Sequence, residues 1–433
     1  MADLERTEFS SFEELRDLQS KRMISQLRFA LEQVPYYQEM YSPFAVRIKD
    51  ISRWEDVDSL ICELPCVTKD QVQSDADRFY ARGIKRMRTY PDKTSGSAGT
   101  PLQFPCDQEA WAYRHAHTFR ALRMHDVQVG EPYALFFGLH WAKRSRSQVA
   151  LRDRVFNRVR VSAFDINKTT FEAHLKRIRD HRPAYFLGYP SALYDFCFLA
   201  QEFGVDLREL KLKLVFTTAE PLLSYQRDMI QEVTGSRCVS QYGSAEGGFT
   251  AFECPAGNMH IAVETTWLRP LDRSKPVSEA LVTDMMLRAF PLINYAIGDE
   301  VRLKAGSCSC GRAHPTIESI QGRSGEPILL PNGRRINANL PSYIFKPLAS
   351  LKVIRRYRFV QRGENLDLFL VVSNSWKREH LDVVKQEVHA AFGPDISFAM
   401  HVVSELENLP NAKHRCYVTM PVEQELREQR AYP

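Results

Sequence analysis

The sequence predicts an α/β protein with a large N-terminal domain of parallel sheets flanked by helices, a β-rich part, and a small, mobile α+β C-terminal domain. Three observations carry this. Between residues 108 and 241, apolar runs of strand length alternate with helix-length segments, the pattern of repeated β-α-β units. From about 249 to 320 the texture turns to short apolar runs broken by Pro, Gly and Asn. Beyond Gly325 the chain begins a fresh set of elements. The expected organisation is a large domain over 1–323, a hinge at 324–329 and a small domain over 330–433.

The elements follow in order. Ser11-Phe12-Glu13-Glu14 is a capping box. It opens a helix to about Val34 with Leu15, Leu18, Leu27, Leu31 and Val34 at helical spacing. Residues 35–70 are broken by Pro35, Pro43 and Pro65 into short helices and turns. Thr94-Ser95-Gly96-Ser97-Ala98-Gly99-Thr100-Pro101 packs hydroxyls and glycines into one loop. Backbone N–H groups in such a turn form an anion cradle, and hydroxyls add donors. No lysine follows its second glycine, so it is not a P-loop; a flexible linker is the competing reading. A helix over 108–124 leads to a strand at 133–138. Helix 169–181 leads to strand 185–187, helix 191–203 to strand 212–217, and helix 222–234 to strand 238–241. Ligands in parallel sheets bind beyond the carboxyl ends of strands. Three loops fall there: Gly188–Ser191, Thr218–Pro221 and Tyr242–Gly247. In the small domain, Arg356–Val360 and Leu366–Val372 form a hairpin around Gly363-Glu364-Asn365. Helix 376–392 and strand 396–403 follow, then a polar loop over 408–415 that contains Lys413.

Composition excludes several classes. The chain has 433 residues, 44% hydrophobic and 26% charged, with a net charge of +5. Acids and bases are interspersed, which argues against nucleic-acid binding. No apolar run reaches the roughly 18 residues a membrane span needs, and the acidic N-terminus is no secretory signal. Nine scattered cysteines point to a reducing cytoplasm. Cys254-x5-His260 and Cys308-x-Cys310 offer three thiolates and an imidazole, the donor set of a structural zinc site. His314 competes as a ligand, and free buried cysteines are the alternative. Asp299 follows a glycine at a strand end, where a carboxylate accepts two hydrogen bonds from a ribose diol or simply closes a turn.

The motifs TSGSAGTP (94–101), TTAEP (217–221), QYGSAEGG (241–248), FPLINYAIGDE (290–300), CSCGRAHPTIESIQGR (308–323) and NAKHR (411–415) occur in the order of a known family. VPYYQEMY (34–41) and LPCVTKDQ (64–71) also match it. The chain resembles the adenylate-forming superfamily, and within it the phenylacetate–coenzyme A ligase and capsule-biosynthesis branch. The resemblance implies that a carboxylic acid reacts with ATP to give an acyl-adenylate and pyrophosphate, after which the acyl group passes to coenzyme A. It implies that Thr94, Ser95, Gly96, Ser97, Gly99 and Thr100 hold phosphates. Ala219, Glu220 and Pro221 would line the adenine, with Gln241, Tyr242, Gly243 and Ser244 around it and Tyr242 stacked on it. Asp299 would bind the ribose with Arg323 beside it, Glu246 would hold Mg²⁺, and Lys413 would contact the attacking carboxylate and α-phosphate. The branch also carries a structural zinc site of this cysteine/histidine pattern.

Trp111, Tyr113, Phe137, Tyr189, Gly243 and Gly248 are the expected lining of a pocket for a small aryl acid. Three departures from the family stand out: Asn294 where arginine is usual, Ser324-Gly325-Glu326 where acids follow Gly-Arg, and Asn411-Ala412 where a glycine precedes the lysine. They bear on the second half-reaction, so an amine, hydroxyl or carrier protein stands as the alternative acceptor. A zinc-stapled scaffold without catalysis is a third reading, and a homodimer is a candidate state.

Overall fold

The computed structural model describes residues 2–84, 88–93, 102–138, 146–304, 306–323, 328–336, 340–342, 344–345, 352–406 and 416–420, with the backbone alone at 146–148, 321–323 and 420. The expected phosphate loop 94–101 and Lys413 lie outside the described residues, as does the side chain of Arg323.

Helices come first: α1 (Ala2–Thr7), α2 (Phe12–Gln33), α3 (Pro35–Met40), α4 (Ala45–Asp50), α5 (Trp54–Glu63), α6 (Lys69–Ser74) and α7 (Ala76–Phe79). A ribbon of β1 (Thr89–Lys93) and β2 (Gln103–Asp107) leads into α8 (Gln108–Arg123). Alternation follows through β3 (Tyr133–Phe137), α9 (Arg146–Val155), β4 (Arg158–Ser162), α10 (Phe171–His181), β5 (Tyr185–Gly188), α11 (Pro190–Glu202), β6 (Leu214–Thr217), α12 (Ser224–Thr234) and β7 (Cys238–Ser244). Next come β8 (Gly248–Glu253), β9 (Met259–Ile261), β10 (Thr266–Pro270), β11 (Ser278–Asp284), β12 (Tyr295–Lys304) and β13 (Thr316–Arg323). The last part holds β14 (Ile328–Leu329), β15 (Arg335–Ile336), β16 (Ile354–Arg362), β17 (Asn365–Val372), α13 (His380–Phe392), β18 (Ala399–Val403) and β19 (Tyr417–Met420).

Internal contacts divide the chain into two units: Met1–Glu131 with Phe216–Pro221 and Val239–Arg323, and Pro132–Val215 with Leu222–Cys238 and Ser324–Pro433. One boundary of this division lies between Arg323 and Ser324. The expectation of one domain over 1–323 differs from this division, because residues 132–215 and 222–238 group with the C-terminal part.

In the first unit, strands run in the order β10-β11-β12-β13-β9-β8-β7. The lead-in helices bury Leu27, Tyr37, Leu60 and Phe79 in one core with Trp267, Phe290 and Ile293. The expected capping box is present: Ser11 Oγ accepts from Glu14 N at 3.2 Å, and Glu14 Oε2 accepts from Ser11 N at 2.8 Å. Asn294 explains its own departure from the family. It is 1% exposed with φ +51, a left-handed backbone that Asn tolerates better than most residues. Its Nδ2 donates to the carbonyls of Ile61 and Leu64 at 2.8 and 3.2 Å. Its carbonyl accepts from Val67 N at 3.0 Å, so it stitches the lead-in to β12.

In the second unit, β3 pairs in parallel with both β4 and β5. Phe171, Phe186, Phe196 and Ile178 pack the core beneath α10 and α11. The C-terminal sheet runs β18-β17-β16-β19, packed by Phe359, Leu368, Val388 and Phe392. Helix α13 begins at His380 rather than the expected 376. The residues before it form a turn instead, in which Lys377 N donates to His380 Nδ1 at 2.9 Å. Strand β18 begins at Ala399, later than the expected 396, because Ile396 is spent in the core.

Asp195 on α11, 1% exposed, is the counter-charge for Arg355 and Arg356 on β16. Tyr194 and Arg355 add hydrogen bonds to the carbonyls of Ile354 and Ile166. Removing one partner of a buried pair strands the others, at about 3–5 kcal/mol. Asp195→Ala should lower unfolding stability by that amount in urea titration, and adding Arg355→Met with Arg356→Met should restore much of it. An Asp195→Ala variant as stable as the parent would contradict this.

Candidate active site

The β7–β8 hairpin positions most of the expected nucleotide residues. Its register shifts between Tyr242 and Gly243. A Cβ on Gly243 would lie 2.5 Å from the Gly248 carbonyl oxygen, so only glycine fits this bulge. Gly248 has φ +67, and a Cβ there would meet Asp284 Oδ2 at 2.7 Å. That carboxylate is held by Arg114 of α8, whose Nη2 donates at 3.1 Å. Ser244 Oγ accepts from Gly247 N at 2.8 Å and closes the turn. Glu246 sits at the turn, 7% exposed, and has no hydrogen bond or ion pair among the described residues. Its oxygens are thus not engaged by any described residue, and a carboxylate is a ligand that Mg²⁺ accepts, so Glu246 fits that ion.

Two further contacts lie alongside. Tyr242 donates its hydroxyl to Asp299 Oδ2 at 2.7 Å. Gly298, at φ +80, and a register shift between Asp299 and Val301 aim this carboxylate off the regular ladder. Asp299 faces Arg323 across the β12–β13 register. Gln241 Nε2 donates to Thr218 Oγ1 at 2.9 Å, while its Oε1 is buried without a donor among the described residues. That orphan acceptor suits a ligand N–H such as an exocyclic amine. Ala219 holds φ +70, a strained value for a residue with a Cβ, and such strain gathers at ligand sites. Thr218 lacked any signal in the sequence beyond its place in the loop.

The four expected metal ligands come together. The ligand atoms of Cys254, His260, Cys308 and Cys310 lie within 4.8 Å of one another. Cys254 Sγ is 3.7 Å from Cys308 Sγ, and Cys310 Sγ is 3.3 Å from His260 Nε2. Tetrahedral bonds of about 2.3 Å to sulfur set edges of about 3.8 Å, so the cluster has the right size. His260 Nδ1 donates to the His314 carbonyl at 2.8 Å, which leaves Nε2 turned to the sulfurs. Burial pushes the His260 imidazole down to about 4 and the Cys254 thiol up to about 11. Burial also opposes the Cys308 thiolate, but hydrogen bonds from Cys310, Cys254 and Asn258 outweigh it and lower the pKa. His314, the competing ligand, faces elsewhere: its Nε2 donates to Glu264 Oε1 at 3.0 Å.

Glu264 centres a buried network behind this cluster. It is 1% exposed and accepts from Arg120 of α8, His314, and Thr7 Oγ1 at 2.7 Å. Arg120 Nη2 donates to His117 Nδ1 at 3.1 Å, and His117 Nε2 to Thr265 Oγ1 at 2.9 Å. His117 is therefore neutral, in line with burial, which drives its pKa well down. Burial also opposes the charge of Glu264, yet Arg120 and His314 hold its pKa well below the ordinary range.

The expected acid-pocket residues divide. Trp111 on α8 is 39% exposed, its ring 3.8 Å from that of His115. Tyr113 lies about 200° round the same helix. Its hydroxyl donates to Asp3 at 2.7 Å and accepts from Arg22 at 3.0 Å, which ties α8 to α1 and α2 instead of facing a ligand. In the second unit, Phe137 and Tyr189 place ring centroids 4.4 Å apart.

No family model matches the chain. It is 22% identical over 408 residues to the protein CapK of Staphylococcus aureus, covering 93% of this chain and 88% of that one. It is 24% identical over 424 residues to a phenylacetate–coenzyme A ligase of Thermus thermophilus, covering 91% and 88%. A solved structure of 2-hydroxyisobutyryl-CoA ligase in the postadenylation state, in complex with R3-HIB-AMP, superposes with a TM-score of 0.76 at 16% identity, covering 99% of this chain and 94% of that one. The chain thus has the fold of adenylate-forming ligases, and its resemblance to the phenylacetate–coenzyme A ligase branch runs along nearly its whole length.

The depressed pKa of Glu264 sets a pH dependence. Its stabilisation is complete above the unfolded value of about 4.3 and is lost as pH falls through the lower folded value. Glu264→Gln should cost about 3–5 kcal/mol near neutral pH and flatten the acid limb. Melting temperatures measured at about pH 7 and about pH 3 should converge for the two proteins at the acid end. Parallel pH profiles would contradict this.

Proposed function

We propose that the protein activates a carboxylic acid with ATP and passes the acyl group to coenzyme A. The observation that carries this reading is the carboxylate of Glu246, without a partner among the described residues, on the same hairpin as Tyr242, whose hydroxyl meets Asp299. Relatives named phenylacetate–coenzyme A ligase match 91% of the chain in one case and 88% in another, which supports the same chemistry. The acid's carboxylate oxygen attacks the α-phosphorus, the bond to the β-phosphate bridging oxygen breaks, and pyrophosphate leaves. The sulfur of coenzyme A then attacks the acyl carbon, AMP departs with the bonding pair, and the thiol proton goes to solvent.

The residues divide this work. Thr94–Thr100 cradle the leaving phosphates. Ala219, Glu220 and Pro221 line the base, and Gln241 supplies an acceptor to it. Tyr242 stacks on the adenine while its hydroxyl orients Asp299, which takes the ribose with Arg323 alongside. Glu246 would hold Mg²⁺, which would offset the negative charge of the phosphates. Lys413, brought in by the segment 330–433 turning about 324–329, contacts the carboxylate and α-phosphate. The chain offers no covalent nucleophile for this step; catalysis is alignment of oxygen with phosphorus and stabilisation of the charge that develops there. Cys254, His260, Cys308 and Cys310 hold structural zinc. The nine cysteines are all free of disulfides, which suits the cytoplasm.

A small aryl acid is the favoured substrate, with the Phe137–Tyr189 ring pair as an aromatic face for it. Stacking adds about 0.5–1.5 kcal/mol per pair. Transfer to an amine, hydroxyl or carrier protein is the second reading, favoured by Ser324-Gly325-Glu326 and Asn411-Ala412 at the turning segments. Pyrophosphate release with aryl and C8–C16 acids, with and without coenzyme A, separates them. Thioester formation from an aryl acid supports the first reading. Adenylate that accumulates untouched by coenzyme A supports the second, and preference for the fatty acids overturns the aryl assignment.

Lys413→Ala should lower the adenylation rate about 10²–10³-fold with ATP binding retained, whereas Asp299→Asn should raise KM for ATP about tenfold. Steady-state kinetics check both, and an unchanged rate in Lys413→Ala removes that assignment. Metal analysis should find about one zinc per chain. Cys308→Ser should lose the metal and melt lower before adenylation suffers; protein purified without chelator and free of zinc would contradict the site.

A further inference from the structure

A cavity of about 450 Å³ opens in the first unit between α2, α5 and the strands β9, β10 and β12. It shares no residue with the nucleotide and metal groups. Its size falls in the range of small-molecule sites, about 300–1,000 Å³. Trp54 and Trp267 stack in its wall with centroids 4.8 Å apart. The Arg16 guanidinium lies 4.7 Å from the Trp54 ring. Leu15, Val263 and Val301 supply an apolar floor.

The charge around this cavity is unbalanced. Among the described residues, Arg16, Arg269, Arg273 and Lys275 line it against one carboxylate, Asp58, and both oxygens of Asp58 are taken by Arg273 at 2.7 Å. Among the described residues, Arg16 and Lys275 make long ion pairs with Glu55 and Asp272 at 3.5 and 3.4 Å. Arg269 is the decisive residue. It is 5% exposed, and burial lowers its pKa. Among the described residues it donates to neutral oxygens: Asn294 Oδ1 at 3.3 Å and the carbonyls of Pro270 and Ile61 at 3.2 Å each. A guanidinium has five N–H donors, and no carboxylate pairs with this one among the described residues. A buried cation without a counter-charge is costly, and an anion in the cavity would supply one.

We propose that this cavity binds a compact aromatic anion, a flat apolar body with one carboxylate or sulfonate, its ring against the tryptophans and its head toward Arg269 and Lys275. A second copy of the chain fits less well, because a two-fold contact here would bring like cations together.

The test is a fluorescence titration of the full chain with 8-anilinonaphthalene-1-sulfonate, with saturating ATP and Mg²⁺ present. One site per chain is expected. Its affinity should fall at least tenfold in Arg269→Gln, in Trp54→Leu and in Lys275→Gln, the last two chosen because they need not disturb the buried arginine. Trp54→Leu should keep its rate of adenylation. Naphthalene-1-carboxylate should displace the dye at least tenfold better than the neutral naphthalene-1-methanol. Equal displacement by the two, or binding unchanged in both Trp54→Leu and Lys275→Gln, would overturn the proposal. So would sedimentation showing that these residues are covered by a second copy.

Discussion

Glu264 must stay ionised at 1% exposure, and much of the first unit is arranged to let it. Its partners come from far apart in the chain: Thr7 from α1, Arg120 from α8, and His314 just before β13. Each supplies a donor that the others cannot replace, so α1, α8 and the strand layer are fixed relative to one another at one point. The His314 carbonyl carries the constraint on to His260 of the cysteine cluster, and Arg120 lies 4.9 Å from the ring centroid of Phe252 on β8. The hairpin that bears Tyr242 and Glu246 therefore starts from a strand packed directly against this network.

That rigidity suits chemistry done by alignment. The proposed reaction needs an oxygen held in line with phosphorus and fixed charges around it, and misplacement of such groups by about 1 Å is expensive. The bulge at Gly243 and the left-handed Gly298 break the regular ladders of β7 and β12, and Ala219 adds backbone strain in the loop after β6. In the second unit Asp195 does for β16 what Glu264 does for α8, by holding two arginines in a buried pocket.

Most of the secondary structure is legible in the sequence because its signals are local. The Ser11–Glu14 box, the alternation from 108 to 244 and the hairpin at Gly363 are each written within a few residues. The cysteine–histidine cluster is legible too, since cysteine and histidine are scarce and their spacing is informative. What the sequence hides is long-range. Arg120 and Glu264 are 144 residues apart, and neither sits in a motif. Asn294 reads as a departure from the family until its left-handed backbone and amide contacts are seen. Tyr113 reads as an aromatic beside Trp111, and only the helical phase places its hydroxyl on Asp3. The cavity at Trp54 and Trp267 joins segments more than 200 residues apart in the chain, so no local pattern announces it.

The central claim is that the chain forms an acyl-adenylate reversibly. Isotope exchange between labelled pyrophosphate and ATP, without coenzyme A, reads that step alone. The account predicts exchange that depends on an added carboxylic acid and on Mg²⁺, and that collapses in Glu246→Gln. Exchange that is absent with every acid tried, in zinc-replete folded protein that still binds ATP, would contradict it.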